Sequence, residues 1–327
     1  MQIAILDDWQ GVARESADWS GLAARAGLRF FEEAFADEDA AAAALAGFEI
    51  VLSMRERTPL PGSLIERLPR LRMLGITGAK NPSLDVAACT AHGIVVCNTA
   101  SSGQGGYATA ELALGLLLAA ARAIPAADAN MRAGRFQQGL PVGIGLAGRT
   151  LGLIGLGRLG ARMAQYGRAL DMEVVAWSRN LTDEAATAAG ATRVPLDALL
   201  QRSDAVSLHL VLSERSRATL GAAELARMKP GAILINTSRG PLVDEAALID
   251  AVQGGRIVAA LDVFDREPLP ADHPLRHAGN CVLVPHLGYG VAETWADFYP
   301  QSVENAQAFM DGQPVRVVNP EVLPGRA

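Results

Sequence analysis

With 327 residues, half of them hydrophobic and a fifth charged, the chain is long for one hydrophobic core and suits two packed domains. Its formal net charge of -6 is spread without long runs of one sign, which argues against nucleic acid or an anionic membrane as a partner. The start, Met1-Gln2-Ile3-Ala4-Ile5-Leu6-Asp7-Asp8, has no basic stretch and too short an apolar one for a signal peptide, so a cytoplasmic address is the expectation. Cys89, Cys97 and Cys281 have neither metal-ligand spacing nor a framework of pairs, so we expect reduced core thiols and no metal site.

In chain order, residues 2–6, 50–53, 72–76 and 94–97 are short apolar runs that predict buried strands, with helical stretches at 40–46, 64–68 and 83–91. The most apolar segment, 112–121, is far shorter than a membrane span, is flanked by Glu111 and Arg122, and predicts a buried helix. A second series of Val/Ile/Leu-rich strands follows at 150–154, 173–177, 205–208, 232–236, 257–261 and 282–284, with helical periodicity between. After it about forty residues remain, helical over 292–310, too few for a domain of their own. The expected fold is α/β: two Rossmann-like domains with doubly wound parallel sheets, the outer one discontinuous. Residues 1–99 with 289–327 would form an outer, flavodoxin-like substrate domain, and 100–288 a dinucleotide-binding domain. Crossings near 98–102 and 286–290 would make a hinge, and the cleft between domains is the expected active site.

The run Leu151-Gly152-Leu153-Ile154-Gly155-Leu156-Gly157-Arg158-Leu159-Gly160 reads as strand, tight turn, helix. Gly155 permits the turn, Gly157 lets backbone approach a pyrophosphate, and Gly160 lets helix and strand pack closely. The helix opening at Arg158 and Leu159 aims unpaired N–H groups at the phosphates. The next strand ends Trp177-Ser178-Arg179-Asn180, without the acid that would accept from a ribose 2′-hydroxyl. A hydroxyl and a guanidinium suit a 2′-phosphate, so NADP(H) is favoured. NAD(H) stays possible, with Ser178 or Asn180 on the ribose and Arg179 solvated.

Three strands of the second series run into Thr237-Ser238-Arg239-Gly240, Asp262-Val263-Phe264-Asp265-Arg266-Glu267-Pro268 and Pro285-His286-Leu287-Gly288. Ligands of open α/β sheets sit beyond the carboxyl ends of the strands, so Arg239, Glu267 and His286 should converge. An arginine fork suits a 2-keto acid's carboxylate, an imidazole suits proton delivery to the growing alkoxide, and a carboxylate beside the imidazole fixes its ring.

On these motifs the chain resembles the D-isomer-specific 2-hydroxyacid dehydrogenases, the family of glyoxylate/hydroxypyruvate reductases and phosphoglycerate dehydrogenases. The resemblance spans nearly the whole chain and is strongest at the glycine turn, residues 236–244, residues 262–268 and Pro285-His286. It implies hydride transfer between a nicotinamide cofactor and a small 2-keto or D-2-hydroxy acid, with Arg239, Glu267 and His286 catalytic. It further implies that Asp262 contacts the nicotinamide carboxamide and that backbone N–H groups of Thr77-Gly78-Ala79-Lys80-Asn81, chiefly Gly78 and Ala79, bind the substrate with Arg239 and His286. A homodimer joined partly through the helix near 108–122 is also implied.

Two motifs depart from the family pattern. His209-Leu210-Val211 replaces His-x-Pro, which alters the adenine wall that His209 lines, and Gly78-Ala79-Lys80-Asn81-Pro82 replaces Gly-x-Gly-x-Asp-Asn, which leaves the substrate open. Lys80 suits a solvated loop or an anionic substrate tail, and one of Arg55 and Arg57 is a substrate candidate. Formate dehydrogenases of similar build carry glutamine where Glu267 stands, which disfavours formate. Tyr107, Trp295 and Tyr299 suit a pocket, the core or a dimer contact equally. His273 and His277 suit capping or solvent, and His92 a helix end. Two other functions share the fold: a dinucleotide sensor resembling the corepressors, and a dehydrogenase of phosphite or another oxyanion. The retained acid–base set and the lack of a long tail favour catalysis on keto acids over sensing.

Overall fold

A computed structural model describes residues 1–100, 103 and 105–323 of the chain. The chain divides into two compact units, Met1–Gly106 with Val291–Ala327, and Tyr107–Gly290. Both breaks fall a few residues after the boundaries read from the sequence. Ser101 and Ser102, in the first expected crossing, lie outside the described residues.

The first unit is built on a parallel sheet of five strands: β1 (Gln2–Ile5), β2 (Gly27–Phe30), β3 (Ile50–Ser53), β4 (Met73–Ile76) and β5 (Val95–Cys97), in the order β2-β1-β3-β4-β5. β3, β4 and β5 are buried at every position, because side chains on both faces are covered. One face packs Leu6, Val51, Leu74 and Val96 against Leu45, Leu64 and Ile65. Trp19 joins β2 to the helix Ala292–Met310, with its ring edge-on to Phe30 at 5.2 Å and to Tyr299 at 6.2 Å. The returning C-terminal segment is stitched to β5 by Asn319, whose Oδ1 accepts from the Val96 N–H at 2.8 Å and whose Nδ2 donates to the Ile94 carbonyl at 2.9 Å. The roughly forty residues left over in sequence are therefore part of this unit's own sheet packing.

The second unit carries seven parallel strands: β6 (Thr150–Ile154), β7 (Glu173–Trp177), β8 (Thr192–Arg193), β9 (Ala205–Leu208), β10 (Ala232–Asn236), β11 (Ile257–Leu261) and β12 (Cys281–Leu283), in the order β12-β11-β10-β9-β6-β7-β8. Successive side chains point to opposite faces. Leu151 and Leu153 therefore pack with Leu116, Leu117 and Met163, while Ile154 packs with Leu199 and Leu200 on the other side. The chain order reverses direction between β6 and β9, and a ligand crevice forms beyond the strand ends at such a switch. The helix Ala108–Arg122 buries Ala113, Leu116, Leu117 and Ala121 as its apolar run predicts, and ends where Ala123 turns left-handed at φ +50°. Among the described residues no single helix is long and apolar enough to cross a membrane.

Both sheets exceed the sequence reading by one edge strand. β2 alternates exposed and half-buried residues, and β8 is two exposed residues long. An edge strand solvated on one side lacks the continuous apolar run that marks a buried one.

Candidate active site

The carboxyl edge of the seven-stranded sheet brings the sequence motifs together. β6 ends in Gly155, whose φ is +100° and where a Cβ would lie 2.5 Å from the His209 carbonyl oxygen. At Gly160 a Cβ would lie 2.2 Å from the Gly155 carbonyl oxygen, so the helix Arg158–Ala169 comes this close to the turn only because residue 160 has no side chain. Among the described residues nothing comes within 4 Å of a Cβ placed on Gly157, the N-cap of that helix. Gly157 thus stands at the positive end of a twelve-residue helix, where the first backbone N–H groups have no carbonyl of a preceding turn. The Arg158 and Arg162 side chains lie over the Tyr107 ring at 5.6 and 3.8 Å, which makes Tyr107 a packing partner of this helix.

His209 closes β9 beside the turn. Its Nε2 meets the Ser207 hydroxyl at 2.9 Å, while its buried Nδ1 has no partner among the described residues. Burial pushes the imidazole down to about 4, so it is neutral near pH 7. Beyond β7 and β9 lies a cavity of about 190 Å³, walled by Trp177, Leu210 and Thr219 and edged by Arg179, Asn180 and Arg215. Ser178 is half-buried beside it, and Arg179 donates from Nη2 to the Arg215 carbonyl at 2.8 Å. An open glycine turn, an orphaned buried nitrogen and an apolar-walled cavity on one sheet edge fit an adenine dinucleotide.

At the other end of the same edge the groups are locked to one another. His286 Nδ1 and Glu267 Oε2 lie 2.5 Å apart, with the side chains 17% and 23% exposed. The other Glu267 oxygen accepts from the Phe264 N–H at 2.9 Å. His286 has φ +53°, a conformation that costs a non-glycine residue about 1 kcal/mol and persists where the surroundings impose it. Asp262 helps impose it: fully buried, it accepts from the Leu287 N–H at 2.5 Å and the Gly288 N–H at 3.0 Å. Thr109 donates to the Gly288 carbonyl at 2.8 Å, which ties the same loop to the helix Ala108–Arg122. Arg239 is half-buried just past β10, where Asn236 donates from Nδ2 to its carbonyl at 2.8 Å and accepts from the Ser238 N–H at 3.0 Å. Asn236 pairs with Leu261 in register, and Leu261 with Leu283, so Arg239, Asp262 and His286 follow three adjacent strands. The sequence reading had not singled out Asn236, Thr109 or the clamp made by Asp262. A polar residue at a strand's last position was the available signal for Asn236; the others depend on loops that meet only in space.

In the first unit the Gly78 N–H donates to the Thr99 hydroxyl at 2.8 Å, while Ala79 is exposed and its N–H has no partner among the described residues. Gly78 has φ +83°, and a Cβ there would lie 2.0 Å from Arg55 Nη1. Arg55 is itself left-handed at φ +52°, with its N–H donating to Thr77 Oγ1 at 2.8 Å and its carbonyl accepting from Asn81 Nδ2 at 2.7 Å. Arg57 lies instead over the Trp9 ring at 5.0 Å. Geometry therefore separates two arginines that sequence left equivalent, and places Arg55 on the glycine loop. Lys80 is exposed. Tyr299 is buried against Trp19 and Trp295, in this unit's core. His273 Nδ1 accepts from the Leu275 N–H at 3.3 Å as a cap, and His92 sits at a helix end with Nδ1 2.9 Å from the Ala88 carbonyl. Burial pushes the Cys89 thiol up to about 12 and those of Cys97 and Cys281 to about 11, which leaves all three inert. Among the described residues no group of His, Cys, Asp and Glu is set to hold a metal.

Residues 114–288 match the family described as D-isomer specific 2-hydroxyacid dehydrogenase, NAD binding domain. The chain belongs to the D-isomer-specific 2-hydroxyacid dehydrogenases. It is 40% identical over 269 residues to a glyoxylate reductase of Aeropyrum pernix, covering 80% of each chain. It is 36% identical over 264 residues to a D-3-phosphoglycerate dehydrogenase of Archaeoglobus fulgidus, covering 80% of this chain but half of that longer protein. A solved phosphoglycerate oxidoreductase of Vibrio cholerae superposes with a TM-score of 0.88 at 34% identity, covering 95% of this chain and 99% of that one. The chain is accordingly a nicotinamide-dependent oxidoreductase of the 2-hydroxyacid dehydrogenase type.

Proposed function

We propose that this dehydrogenase reduces a small 2-keto acid, such as glyoxylate or hydroxypyruvate, to the D-2-hydroxy acid, with NADPH preferred over NADH. The observation that carries the reading is the 2.5 Å contact between His286 Nδ1 and Glu267 Oε2 at the carboxyl edge of a dinucleotide-type sheet. The carboxylate fixes the ring through Nδ1, and Nε2 is the nitrogen we assign to proton delivery. The bound nicotinamide supplies the hydride. Arg239 grips the substrate carboxylate and polarises the neighbouring carbonyl; His286 protonates the oxygen as charge develops on it; Glu267 orients the imidazole and favours its charged form. Asp262 holds the loop that carries His286; fully buried, with both oxygens on the Leu287 and Gly288 N–H groups, it acts through that loop and does not meet the nicotinamide carboxamide as the family resemblance implied. A dinucleotide sensor needs no oriented acid–base pair, which is why that contact favours catalysis over the corepressor-like alternative.

The glycine turn with Gly155, Gly157, Arg158, Leu159 and Gly160 would seat the pyrophosphate, His209 the adenine side, and Ser178 with Arg179 the 2′-phosphate. In the first unit, which we assign to the substrate, the Ala79 N–H, without a partner among the described residues, lies on the Gly78 turn that Arg55 adjoins and is the donor we assign to an anion. We assign the second unit to the dinucleotide and the enzyme to the cytoplasm. Exposed Ile124, Met131, Phe136 and Val142, at 51, 60, 64 and 96% exposure, support a homodimer paired along this stretch.

The test follows nicotinamide absorbance with the purified protein, NADPH or NADH, and a panel of 2-keto acids. Turnover with NADPH preferred is expected. Tight cofactor binding with no turnover on any keto acid would return the weight to a sensor or to another oxyanion.

A further inference from the structure

We infer that Arg215, together with Arg179, forms a two-armed clamp for the 2′-phosphate of an adenine dinucleotide, so that cofactor choice rests on the loop after β9 as well as on the end of β7. This rests on the NADP reading above and adds a residue that no motif marks.

Arg179 and Arg215 edge the same cavity from two different loops. Among the described residues neither guanidinium has a carboxylate within ion-pair distance, in a protein whose net charge is -6. The remaining polar lining is neutral, from Asn180, Ser213, Ser216 and Thr219, and Glu214 between them does not line the cavity. Two like charges facing a space with no acid repel each other until an anion arrives; a 2′-phosphate meets that need and a 2′-hydroxyl does not.

The loop is also set in advance. Ser216 Oγ donates to the Val211 carbonyl at 2.7 Å and accepts from the Ser213 N–H at 2.8 Å, while Thr219 Oγ1 donates to the Ser216 carbonyl at 2.7 Å. Arg179 is anchored through one N–H to the Arg215 backbone oxygen, which leaves its other donors to a ligand and reduces the freedom lost on binding. Because the anchor is a carbonyl, Arg215→Ala removes one arm of the clamp and leaves the other arm held. Arg215 is exposed, so the variant folds as the parent does.

The experiment titrates NADPH, NADH and 2′,5′-ADP into the parent, Arg215→Ala and Arg215→Glu by protein fluorescence, at low and high salt. Arg215→Ala should weaken NADPH and 2′,5′-ADP about tenfold, leave NADH within about twofold and flatten the salt dependence of NADPH binding. Arg215→Glu should weaken NADPH further and narrow or reverse the preference. Unchanged NADPH affinity in Arg215→Ala, in a parent that prefers NADPH, overturns the role of Arg215 and leaves the NADP reading standing. Equal losses for NADPH and NADH overturn it too, since they report a damaged loop. A parent that prefers NADH and ignores 2′,5′-ADP overturns the NADP reading itself.

Discussion

The two ends of the seven-stranded sheet's carboxyl edge are built on opposite plans. Around β6, β7 and β9 the groups are left open: among the described residues nothing crowds a Cβ on Gly157 and His209 Nδ1 has no partner, while Arg179 leans on a backbone carbonyl. Around β10, β11 and β12 they are closed on one another, with Glu267 on His286, Asp262 on the N–H groups of Leu287 and Gly288, and Asn236 on the backbone of Arg239. A binding surface keeps its donors unfilled so that the ligand completes them. Acid–base chemistry needs one rotamer and one tautomer, so its groups are held from behind. On the proposed function, the open end of this sheet is the one that binds and the closed end the one that reacts.

Substitutions at each end test that contrast. His286→Ala should lower kcat by about 10³-fold while cofactor affinity, measured by fluorescence titration, changes less than about threefold. A comparable loss of cofactor affinity would mean that the closed end also binds. Glu267→Gln keeps the shape and a hydrogen bond but removes the charge, and should cost about 10²-fold in kcat with KM nearly unchanged. A KM effect alone would move Glu267 to substrate binding.

At the open end, Gly160→Ala forces a Cβ to within 2.2 Å of the Gly155 carbonyl. We expect a loss of about 3 kcal/mol, read as a lower urea midpoint and weaker binding of both nicotinamides. Normal stability and affinity would show that the helix shifts freely and that the turn is not close-packed.

The smallest effect lies off both ends, at Asp7 in the first unit. Burial raises this carboxyl to about 6, although Thr58 donates to it from its N–H at 3.2 Å and its hydroxyl at 3.0 Å. The folded protein therefore holds this proton more tightly than the unfolded chain does, and the site's contribution falls as pH rises from about 4 to 6, then stays low. Asp7→Asn should raise the urea stability on the order of 2 kcal/mol at pH 7.5 and about half as much at pH 5. A variant less stable than the parent at both values would mean that the ionised carboxylate is needed.

Much of this was legible beforehand because the backbone demanded it. Gly155 and Gly160 stand where no Cβ fits, and continuous Val/Ile/Leu runs stand where a parallel sheet is covered on both faces. Arg239, Glu267 and His286 each follow a strand whose end is predictable, so their approach to one edge could be read from periodicity and motif. The edge strands β2 and β8 were not legible, because half-solvated positions carry no apolar signature.

The sequence by itself determined the fold class, the glycine turn and that Arg239, Glu267 and His286 follow strand ends of one sheet, since each follows from local sterics or side-chain periodicity. Only the tertiary structure decided which of Arg55 and Arg57 meets the glycine loop, that Asp262 clamps the His286 loop, and that Arg179 and Arg215 edge one cavity. Those relations join residues from separate loops, and loops meet only after the strands beneath them have been ordered in the sheet.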